Sequence, residues 1–327
     1  MRNVSEDAAP APPTRWKVLV VDPIHDEALE RLRRTCDVVV HLRPSADEIL
    51  TLSRDADVIV LRSGVQLPAE LFAGAQRLKL VARAGAGTDN IDLTAARHAG
   101  VVVFNVPGES AGAVAELTIG LLLALARKIS LADRQARTNV WNKSALVGSE
   151  LAGKTMGIVG HGNIGARVAH LAQGFSMRVL TCVEREDEPR RRALAARNIE
   201  LVGLRAMLRE ADVVCLAVPL TPRTRGLISE PELAMMKYGA YLVNVSRGEI
   251  VDERALHEAL KRGTLAGAAL DVRTGEGSPT QLSTLDNVVL TPHIGAMSSD
   301  AQRRIGHIVV ESIHSAMTGA PVANRVC

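Results

Sequence analysis

Short, continuous apolar runs alternate with segments of helical spacing along almost the whole chain from Trp16 onwards. In the first third, the predicted strands are Lys17–Asp22, Asp37–Leu42, Ala56–Arg62, Leu78–Ala84 and Val101–Val106. Strands that are apolar throughout are typical of a parallel sheet that helices cover on both faces. The pattern therefore predicts an α/β fold with parallel sheets of the Rossmann-like or flavodoxin-like kind.

A second set of apolar runs begins near Gly153, and 327 residues suit two domains of roughly 100–200 residues each. Its later strands are predicted at Arg178–Val183, Ala211–Val218, Ala240–Ser246, Leu265–Val272 and Asn287–Pro292. Between the two sets lies Ala111–Arg127, where apolar residues nearly encircle a helix. We expect this helix to be buried on most sides, either between domains or in a subunit interface.

Composition and charge argue against several kinds of partner. The net charge is only +3 and the basic residues are scattered, so no nucleic-acid partner is expected. The longest helical apolar run, Ala113–Ala126, contains Glu116 and is too short to span a bilayer. The four cysteines form no C-x-x-C pair, which favours a reduced, cytoplasmic protein, and no metal site is predicted.

The N-terminal stretch "MRNVSEDAAPAPPTR", residues 1–15, is rich in Ala and Pro and has no apolar core. It therefore lacks the pattern of a secretory signal. A polar segment of this composition buries too little apolar surface to fold by itself, and a disordered leader is expected.

The motif Gly160-x-Gly162-x-x-Gly165 follows an apolar strand and opens a helix. There Gly160 permits a tight turn, Gly162 leaves room for a pyrophosphate, and Gly165 lets the helix pack close to the sheet. The N–H groups of Asn163 and Ile164 and the helix dipole favour a diphosphate anion. Such a motif alone is weak evidence, but its place between strand and helix predicts a dinucleotide site.

An acidic residue that binds the adenosine ribose is expected roughly 20 residues after the glycines, at the end of the next strand. Val183 occupies that place and Glu184 follows it. A carboxylate at Glu184 could accept both ribose hydroxyls and would repel the 2′-phosphate of NADP, which favours NAD. If Glu184 turns away, Arg185 could instead receive that phosphate. Both residues could also be ordinary exposed loop charges.

Three charged residues lie at or just beyond predicted strand ends: Arg247, Glu276 and His293. In a parallel sheet these ends form the ligand crevice, so all three are expected beside the glycine loop. His293 could take the proton of a substrate hydroxyl. Glu276 could hold its tautomer, and Arg247 could bind a substrate carboxylate. Taken singly, each residue type is commonly structural, and the hypothesis depends on their convergence.

Several segments resemble the D-isomer-specific 2-hydroxyacid dehydrogenases: "GSELAGKTMGIVGHGNIG", "VNVSRGEIVDE", "GAALDV" and "TPHIGA". The stretch "RAGAGTDNIDLTAARHAGVVVFNVPGESAGAVAELTIGLLLALAR" and the ending "GAPVANRV" are similar to the 3-phosphoglycerate dehydrogenase branch. The resemblance covers nearly the whole chain from Lys17. It implies NAD-linked oxidation of a D-2-hydroxy acid.

The resemblance also implies a domain arrangement. A substrate domain of residues 16–112 and 297–327 would be interrupted by a cofactor domain of residues 113–296. A homodimer through the cofactor domain, using the Ala111–Arg127 helix, is implied as well. Because the sequence stops at residue 327, it looks like a short form without the regulatory C-terminal domain of longer phosphoglycerate dehydrogenases, and serine feedback is not expected.

The resemblance assigns residues to the two ligands. For the cofactor it gives Val218, Val245, Ser246, Asp271, Gly295 and Ala296, which join the residues argued above: Gly160, Gly162, Asn163, Ile164, Gly165 and Glu184. Asp271 is placed near the nicotinamide carboxamide. For the substrate they are Arg62, Ser63, Gly64, Arg83, Gly85, Ala86 and Arg247. The catalytic residues are those argued above: Arg247, Glu276 and His293.

The chain departs from the family pattern in two places. Val183 stands where the family usually has an acid, so the choice between NAD and NADP is open. After Asp271 the family usually has "VFxxEP", whereas this chain reads "VRTGEGSP". Arg273 replaces an aromatic residue, and glycines on both sides of Glu276 predict an unusually mobile loop.

A phosphorylated substrate needs cations beyond the carboxylate-binding arginine. Arg62 and Arg83 could supply them, which favours 3-phosphoglycerate, although both could instead be structural partners of nearby acids. Two alternatives stay open. One is NADP-linked reduction of glyoxylate or hydroxypyruvate through Arg185. The other is a nucleotide-sensing binding module, because related corepressors keep the same fold and the same three residues.

Overall fold

The computed structural model describes residues 15–327, which form two compact units. Unit 1 comprises residues up to Pro107 together with Arg303–Cys327, and unit 2 comprises Gly108–Gln302. The predicted domain limits at 112 and 297 are close to these positions. The predicted leader falls on residues 1–14, outside the described residues, except for Arg15. The Arg15 guanidinium donates to the carbonyl oxygens of Arg33 and Cys36 at 2.6 and 3.0 Å.

Unit 1 contains a parallel five-stranded sheet in the order β2-β1-β3-β4-β5. The strands are β1 (Lys17–Val20), β2 (Asp37–Val40), β3 (Val58–Leu61), β4 (Leu80–Arg83) and β5 (Val102–Asn105). The first four helices are α1 (Asp26–Thr35), α2 (Ala46–Leu52), α3 (Ala69–Gly74) and α4 (Leu93–His98). All four residues of β3 and of β4 are buried, as expected for central strands covered on both faces.

Unit 2 contains a parallel seven-stranded sheet in the order β12-β11-β10-β9-β6-β7-β8. Its strands are β6 (Thr155–Val159), β7 (Arg178–Cys182), β8 (Ile199–Leu201), β9 (Val213–Leu216), β10 (Ala240–Asn244), β11 (Leu265–Leu270) and β12 (Val288–Leu290). This is the doubly wound dinucleotide-binding order, in which the chain changes direction across the sheet between β6 and β9. The predicted α/β class with parallel sheets is confirmed.

The helices of unit 2 are α5 (Ala111–Ala126), α6 (Ile129–Arg137), α7 (Asn163–Gly174), α8 (Glu188–Ala195), α9 (Leu204–Glu210), α10 (Glu230–Met235) and α11 (Glu253–Lys261). Helix α5 has nine buried residues among its 16 and packs against α7. The expectation that this helix is buried on most sides is therefore confirmed. Its apolar residues belong mainly to the core of unit 2.

The last helix, α12 (Ser299–Met317), begins in unit 2 and continues into unit 1. Within unit 1 its residues Ile305, Val309 and Ile313 are each at most 2% exposed and join the core beside β1. The predicted strands generally extend one or two residues beyond the observed ones. Strand β8 was not predicted, because its three residues include the exposed Glu200. No helix among residues 15–327 is long and apolar enough to cross a membrane.

Candidate active site

The glycine loop lies between β6 and α7, and two of its three glycines are required by close contacts within the protein. Gly160 has a φ of +95°, and a Cβ there would come within 2.6 Å of the Ala217 carbonyl oxygen. A Cβ on Gly165 would overlap the carbonyl oxygen of Gly160, so α7 starts directly against the loop. A Cβ on Gly162 would meet no heavy atom within 4 Å. The loop therefore leaves open space beside Gly162, where a pyrophosphate fits.

The start of α7 can stabilise an anion. Gly162 is the N-cap of this helix and provides no side-chain acceptor for the first N–H groups, including those of Asn163 and Ile164. Unpaired N–H groups at a helix N-terminus attract negative charge. Together with the space beside Gly162, this arrangement fits the diphosphate of a dinucleotide.

The acid expected at the end of β7 is displaced by one residue. Val183 packs against the hydrophobic core of unit 2, whereas the Glu184 carboxylate is exposed and forms an ion pair with the Arg223 guanidinium. Arg223 was not identified from the sequence, because it lies 39 residues further along the chain, in the loop after β9. The two residues come together because β7 and β9 lie on either side of β6 in the sheet.

His293 and Glu276 form a direct pair. The Nδ1 atom of His293 lies 3.0 Å from a carboxylate oxygen of Glu276. When Nδ1 carries the proton and donates it to the carboxylate, Nε2 is left as an acceptor. The imidazole is 28% exposed and the carboxylate 47% exposed, so a ligand can reach them. This arrangement can take a proton from a hydroxyl group or return it to a carbonyl oxygen.

The backbone at His293 is in the left-handed region, with a φ of +54°. Such a conformation is uncommon for residues other than glycine and is sustained by surrounding contacts. Here the His293 N–H donates to the Asp271 carbonyl oxygen at 2.8 Å and to the Thr291 carbonyl oxygen at 3.0 Å. These hydrogen bonds fix the turn at His293 and thereby the direction of its imidazole.

Asp271, which is 2% exposed, holds this turn through its side chain. Its carboxylate accepts the Thr291 hydroxyl at 2.7 Å, the Ile294 N–H at 2.8 Å and the Gly295 N–H at 2.8 Å. The resemblance placed Asp271 at the nicotinamide carboxamide, and that role stays a prediction. The observed contacts give Asp271 a positioning role for the segment that carries His293.

Arg247 lies shortly after the end of β10. This strand pairs with β11, which precedes Asp271. Its guanidinium donates to the Ser246 carbonyl oxygen at 2.7 Å. The buried Asn244 shapes this turn, because its amide donates to the Arg247 carbonyl oxygen at 2.8 Å and its Oδ1 accepts the Ser246 N–H at 3.0 Å. Asn244 was not identified from the sequence, although a polar residue closing an apolar strand is a signal that could have found it.

The segment that carries Glu276 packs on the turn after Arg247. A Cβ on Gly248 would overlap the backbone of Arg273 and Thr274, so the two segments touch. The ends of β10, β11 and β12 thus hold Arg247, Glu276 and His293 at one edge of the sheet. A pocket of about 360 Å³ lies there and is lined by Asp271, Arg273, Glu276, Gly277, Leu290, Thr291, Pro292 and His293.

The departure from the family pattern after Asp271 has a backbone consequence. Gly277, where the family usually has proline, has a φ of +85°, which proline cannot adopt. Hydrogen bonds nevertheless support this loop: the Thr274 N–H donates to Glu253 at 2.6 Å, and the Arg273 guanidinium donates to the Ser278 carbonyl oxygen at 3.0 Å. The predicted mobility of this loop stays a prediction.

In unit 1, the predicted substrate segment Arg62–Gly64 is anchored by two buried polar residues. Asp22 accepts the N–H groups of Arg62 and Gly64 at 2.6 and 3.2 Å. Asn90 donates to the carbonyl oxygens of Arg62 and Val65 at 2.8 and 2.7 Å. Burial lowers the pKa of Arg62 and the nearby Asp22 charge opposes that shift. Ser63 and Gly64 are exposed.

The second predicted substrate segment, Arg83–Ala86, follows β4. Arg83 is only 6% exposed, and a Cβ on Gly85 would overlap its guanidinium. Asn105 donates to the Ala86 carbonyl oxygen at 2.6 Å. The Arg83 side chain is therefore packed tightly within unit 1. Its role toward substrate stays a prediction.

A doubly wound sheet with a glycine loop after β6 and a His–Glu pair at the same sheet edge is typical of dinucleotide-dependent oxidoreductases. Comparison with known proteins gives the family. Residues 119–295 match the sequence model described as "D-isomer specific 2-hydroxyacid dehydrogenase, NAD binding domain". The chain belongs to the D-isomer specific 2-hydroxyacid dehydrogenase family, and its dinucleotide is NAD.

Relatives of known name include enzymes with different substrates. The chain is 40% identical over 312 residues to D-3-phosphoglycerate dehydrogenase of Methanocaldococcus jannaschii, covering 95% of this chain and 59% of that protein. It is 41% identical over 307 residues to hydroxypyruvate reductase of Thermotoga maritima, covering 91% of this chain and 97% of that protein. It thus spans about three fifths of the phosphoglycerate dehydrogenase but nearly all of the hydroxypyruvate reductase.

The fold matches solved structures closely. The D-lactate dehydrogenase from Aquifex aeolicus, solved with NAD and lactic acid, superposes with a TM-score of 0.84 at 28% identity. The match covers 95% of this chain and 98% of that one. The two-domain, Rossmann-like arrangement predicted from the sequence is confirmed by this similarity.

Proposed function

We propose that the protein is an NAD-dependent dehydrogenase that interconverts a D-2-hydroxy acid and its 2-oxo acid. The observation that carries the proposal is the 3.0 Å contact between His293 Nδ1 and Glu276 at the edge of the NAD-binding sheet. When bound, NAD supplies the hydride acceptor. The His293 Nε2 atom takes the hydroxyl proton as the alcohol is oxidised, and Glu276 stabilises the imidazolium that forms. Arg247 binds and orients the substrate carboxylate.

The activity is tested with purified protein, NADH or NADPH, and a panel of 2-oxo acids that includes 3-phosphohydroxypyruvate, hydroxypyruvate, glyoxylate and pyruvate. We expect loss of NADH absorbance at 340 nm with at least one acid. If no acid is reduced with either nucleotide, the dehydrogenase proposal fails, and the nucleotide-sensing binding module is favoured instead.

We propose 3-phosphoglycerate, or a similar small phosphorylated or polar acid, as the substrate. The phosphoglycerate dehydrogenase relatives support this choice, and Arg62 and Arg83 are the proposed ligands of the phosphate. Hydroxypyruvate or glyoxylate is the second candidate, supported by reductases that the chain matches over 97% and 92% of their length.

Substituting Arg62→Ala separates these substrates. Removal of a charge-assisted contact to phosphate is expected to raise KM for 3-phosphohydroxypyruvate roughly tenfold or more, with a much smaller effect on glyoxylate. Arg54→Ala, an exposed arginine of the same unit, serves as the control. Equal losses on both acids would argue against a phosphate role. Arg83→Ala is less suited alone, because removing a buried side chain can also destabilise unit 1.

We further propose a homodimer formed through unit 2. Support comes from large apolar side chains that stand exposed on α6 and the segment after it: Ile129 (52%), Val140 (47%), Trp141 (78%) and Val147 (73%). Contiguous exposed apolar patches mark interaction surfaces, and these four side chains fall within residues 129–147. Helix α5, in contrast, uses most of its apolar residues inside unit 2. Sedimentation equilibrium tests the assembly, and a mass of one chain would contradict it.

We also propose the cytoplasm as the location. The support is that all four cysteines are free thiols, as expected in a reducing compartment. Burial raises the pKa of Cys182 to about 11 and that of Cys215 to about 12. These thiols are therefore protonated near neutral pH and serve as apolar core residues.

A further inference from the structure

We propose that Arg223 is a specificity-determining residue of the nucleotide site. Its ion pair with Glu184 spans the position of the adenosine ribose. In this pair the Glu184 carboxylate selects NADH, and loss of that carboxylate turns the position into a binding site for the 2′-phosphate of NADPH. The proposal deepens the function proposed above through its nucleotide site and does not depend on which acid is reduced.

The strand order places the pair at the glycine loop. Glu184 follows β7, and Arg223 lies in the loop that follows β9. Strand β6 lies between β7 and β9, with Ile158 paired to both Thr181 and Cys215. An ion pair that joins the loops after β7 and β9 must therefore cross the end of β6, where Gly160 begins the phosphate-binding turn. In a doubly wound sheet this is where the adenosine half of a dinucleotide is bound.

The backbone that carries Arg223 is fixed by a local turn. The Thr221 N–H donates to the Thr224 hydroxyl oxygen at 2.8 Å, and the Thr224 hydroxyl donates to the Pro219 carbonyl oxygen at 2.6 Å. The Arg225 N–H donates to the Thr221 carbonyl oxygen at 3.0 Å. Because these bonds hold the main chain, the guanidinium can exchange one partner for another by side-chain rotation alone.

The pair is suited to exchange with a ligand. The Arg223 and Glu184 side chains are 81% and 65% exposed, and ion pairs in such positions contribute little to stability. A bound nucleotide can therefore replace either partner of this ion pair with little loss of protein stability. The ribose 2′-hydroxyl of NADH can donate to Glu184, whereas the 2′-phosphate of NADPH is repelled by the carboxylate and attracted by the guanidinium.

Other cations lie beside the same loop end. The Arg190 guanidinium donates to the Arg185 carbonyl oxygen at 3.0 Å. Burial, together with the charges of Arg197 and Arg190, lowers the pKa of His161, which stands inside the glycine motif. The nearby acids are engaged elsewhere: Glu186 pairs with Arg191 at 3.0 Å, and Asp187 caps α8. Loss of the Glu184 charge would therefore remove the acid paired with Arg223 and leave the arginines of the neighbouring loop in place.

The test is direct titration of NADH and NADPH, followed by nicotinamide fluorescence without any substrate. We expect Glu184→Gln to raise the ratio of NADPH to NADH affinity by about tenfold or more, the size of one charge-assisted contact. Arg223→Leu is expected to lower the same ratio several-fold. In the double variant of Glu184→Gln and Arg223→Leu, the affinity ratio should lose most of the increase that Glu184→Gln alone produces. The reason is that the guanidinium is the group that binds the phosphate.

Arg192→Leu is the matched control. Arg192 pairs with Glu188 within α8, and these side chains are 77% and 60% exposed. The variant therefore makes the same net-charge change as Arg223→Leu, at a similarly exposed ion pair nearby. It should leave the ratio unchanged. An unchanged ratio in Glu184→Gln, or a gain that survives in the double variant, would overturn the proposal. Because binding is read without turnover, failure of the dehydrogenase proposal would be seen separately, in the acid panel.

Discussion

His293→Asn is expected to reduce turnover by roughly 10²- to 10⁴-fold, the usual contribution of a positioned general acid–base. Asparagine is chosen because His293 has a φ of +54°, and asparagine tolerates this left-handed conformation better than most residues. The turn held by Asp271 should therefore persist. Steady-state kinetics with the best 2-oxo acid, together with NADH titration, provide the measurement, and NADH binding should change little.

The chain offers a matched control for this variant. His257 on α11 also stands beside a carboxylate, with its Nδ1 atom 3.3 Å from Glu258, but it lies outside the pocket lined by His293. His257→Asn should leave turnover close to that of the parent protein. If His293→Asn also kept turnover, the imidazole would have no part in the proton transfer and the proposed mechanism would be wrong.

Gly165→Ala is expected to have the second large effect, on nucleotide binding. A Cβ at this position would overlap the carbonyl oxygen of Gly160, so α7, whose first N–H groups are the proposed diphosphate ligands, must move away from the glycine loop. Overpacking of this kind costs about 1–3 kcal/mol, and we expect NADH affinity to fall by at least about tenfold. NADH titration measures the loss, and thermal melting shows how much of it is structural.

Gly174→Ala serves as the comparison, because it introduces the same methyl group into the same helix. A Cβ on Gly174 would meet no heavy atom within 4 Å. The variant should keep NADH affinity and have unchanged or slightly higher stability, since alanine lowers the entropy of the unfolded chain. Equal NADH affinity in Gly165→Ala and Gly174→Ala would show that close approach of helix and loop is not needed for binding.

The proposed phosphate ligands and the proposed determinants of nucleotide choice lie in different units. The proposed phosphate ligands Arg62 and Arg83 belong to unit 1, whereas Glu184 and Arg223 belong to unit 2. A variant in one group should therefore leave the specificity set by the other group unchanged. This separation allows the acid panel and the nucleotide titrations to be interpreted independently.

Much of the site could be predicted because its residues occupy positions with strong local constraints. The glycines of the loop, and the polar residues that end apolar strands, are visible in a single sequence. Parallel strands then bring those ends to one edge whatever the detailed order. For this reason Glu276 and His293 could be placed together, and in the structure the His293 Nδ1 atom lies 3.0 Å from a carboxylate oxygen of Glu276.

The supporting residues were harder to predict. Asp22, Asn90 and Asn244 shape the turns that carry the predicted arginines. Each makes hydrogen bonds that depend on side-chain direction and on which loops lie within reach. A pattern of apolar and polar residues does not contain this information, since it records the period of burial and not the partner of a buried amide or carboxylate.

By itself, the sequence determined the alternation of strand and helix, the glycine loop and the strand-end positions of the reactive groups, because these follow from local sterics and the period of apolar residues. Tertiary structure alone decided that Val183 packs against the core and that Glu184 pairs with Arg223. It also decided that the Asp271 carboxylate holds the turn of His293. These contacts depend on the order of strands in the sheet and on the turns at their ends, which join residues far apart in the chain.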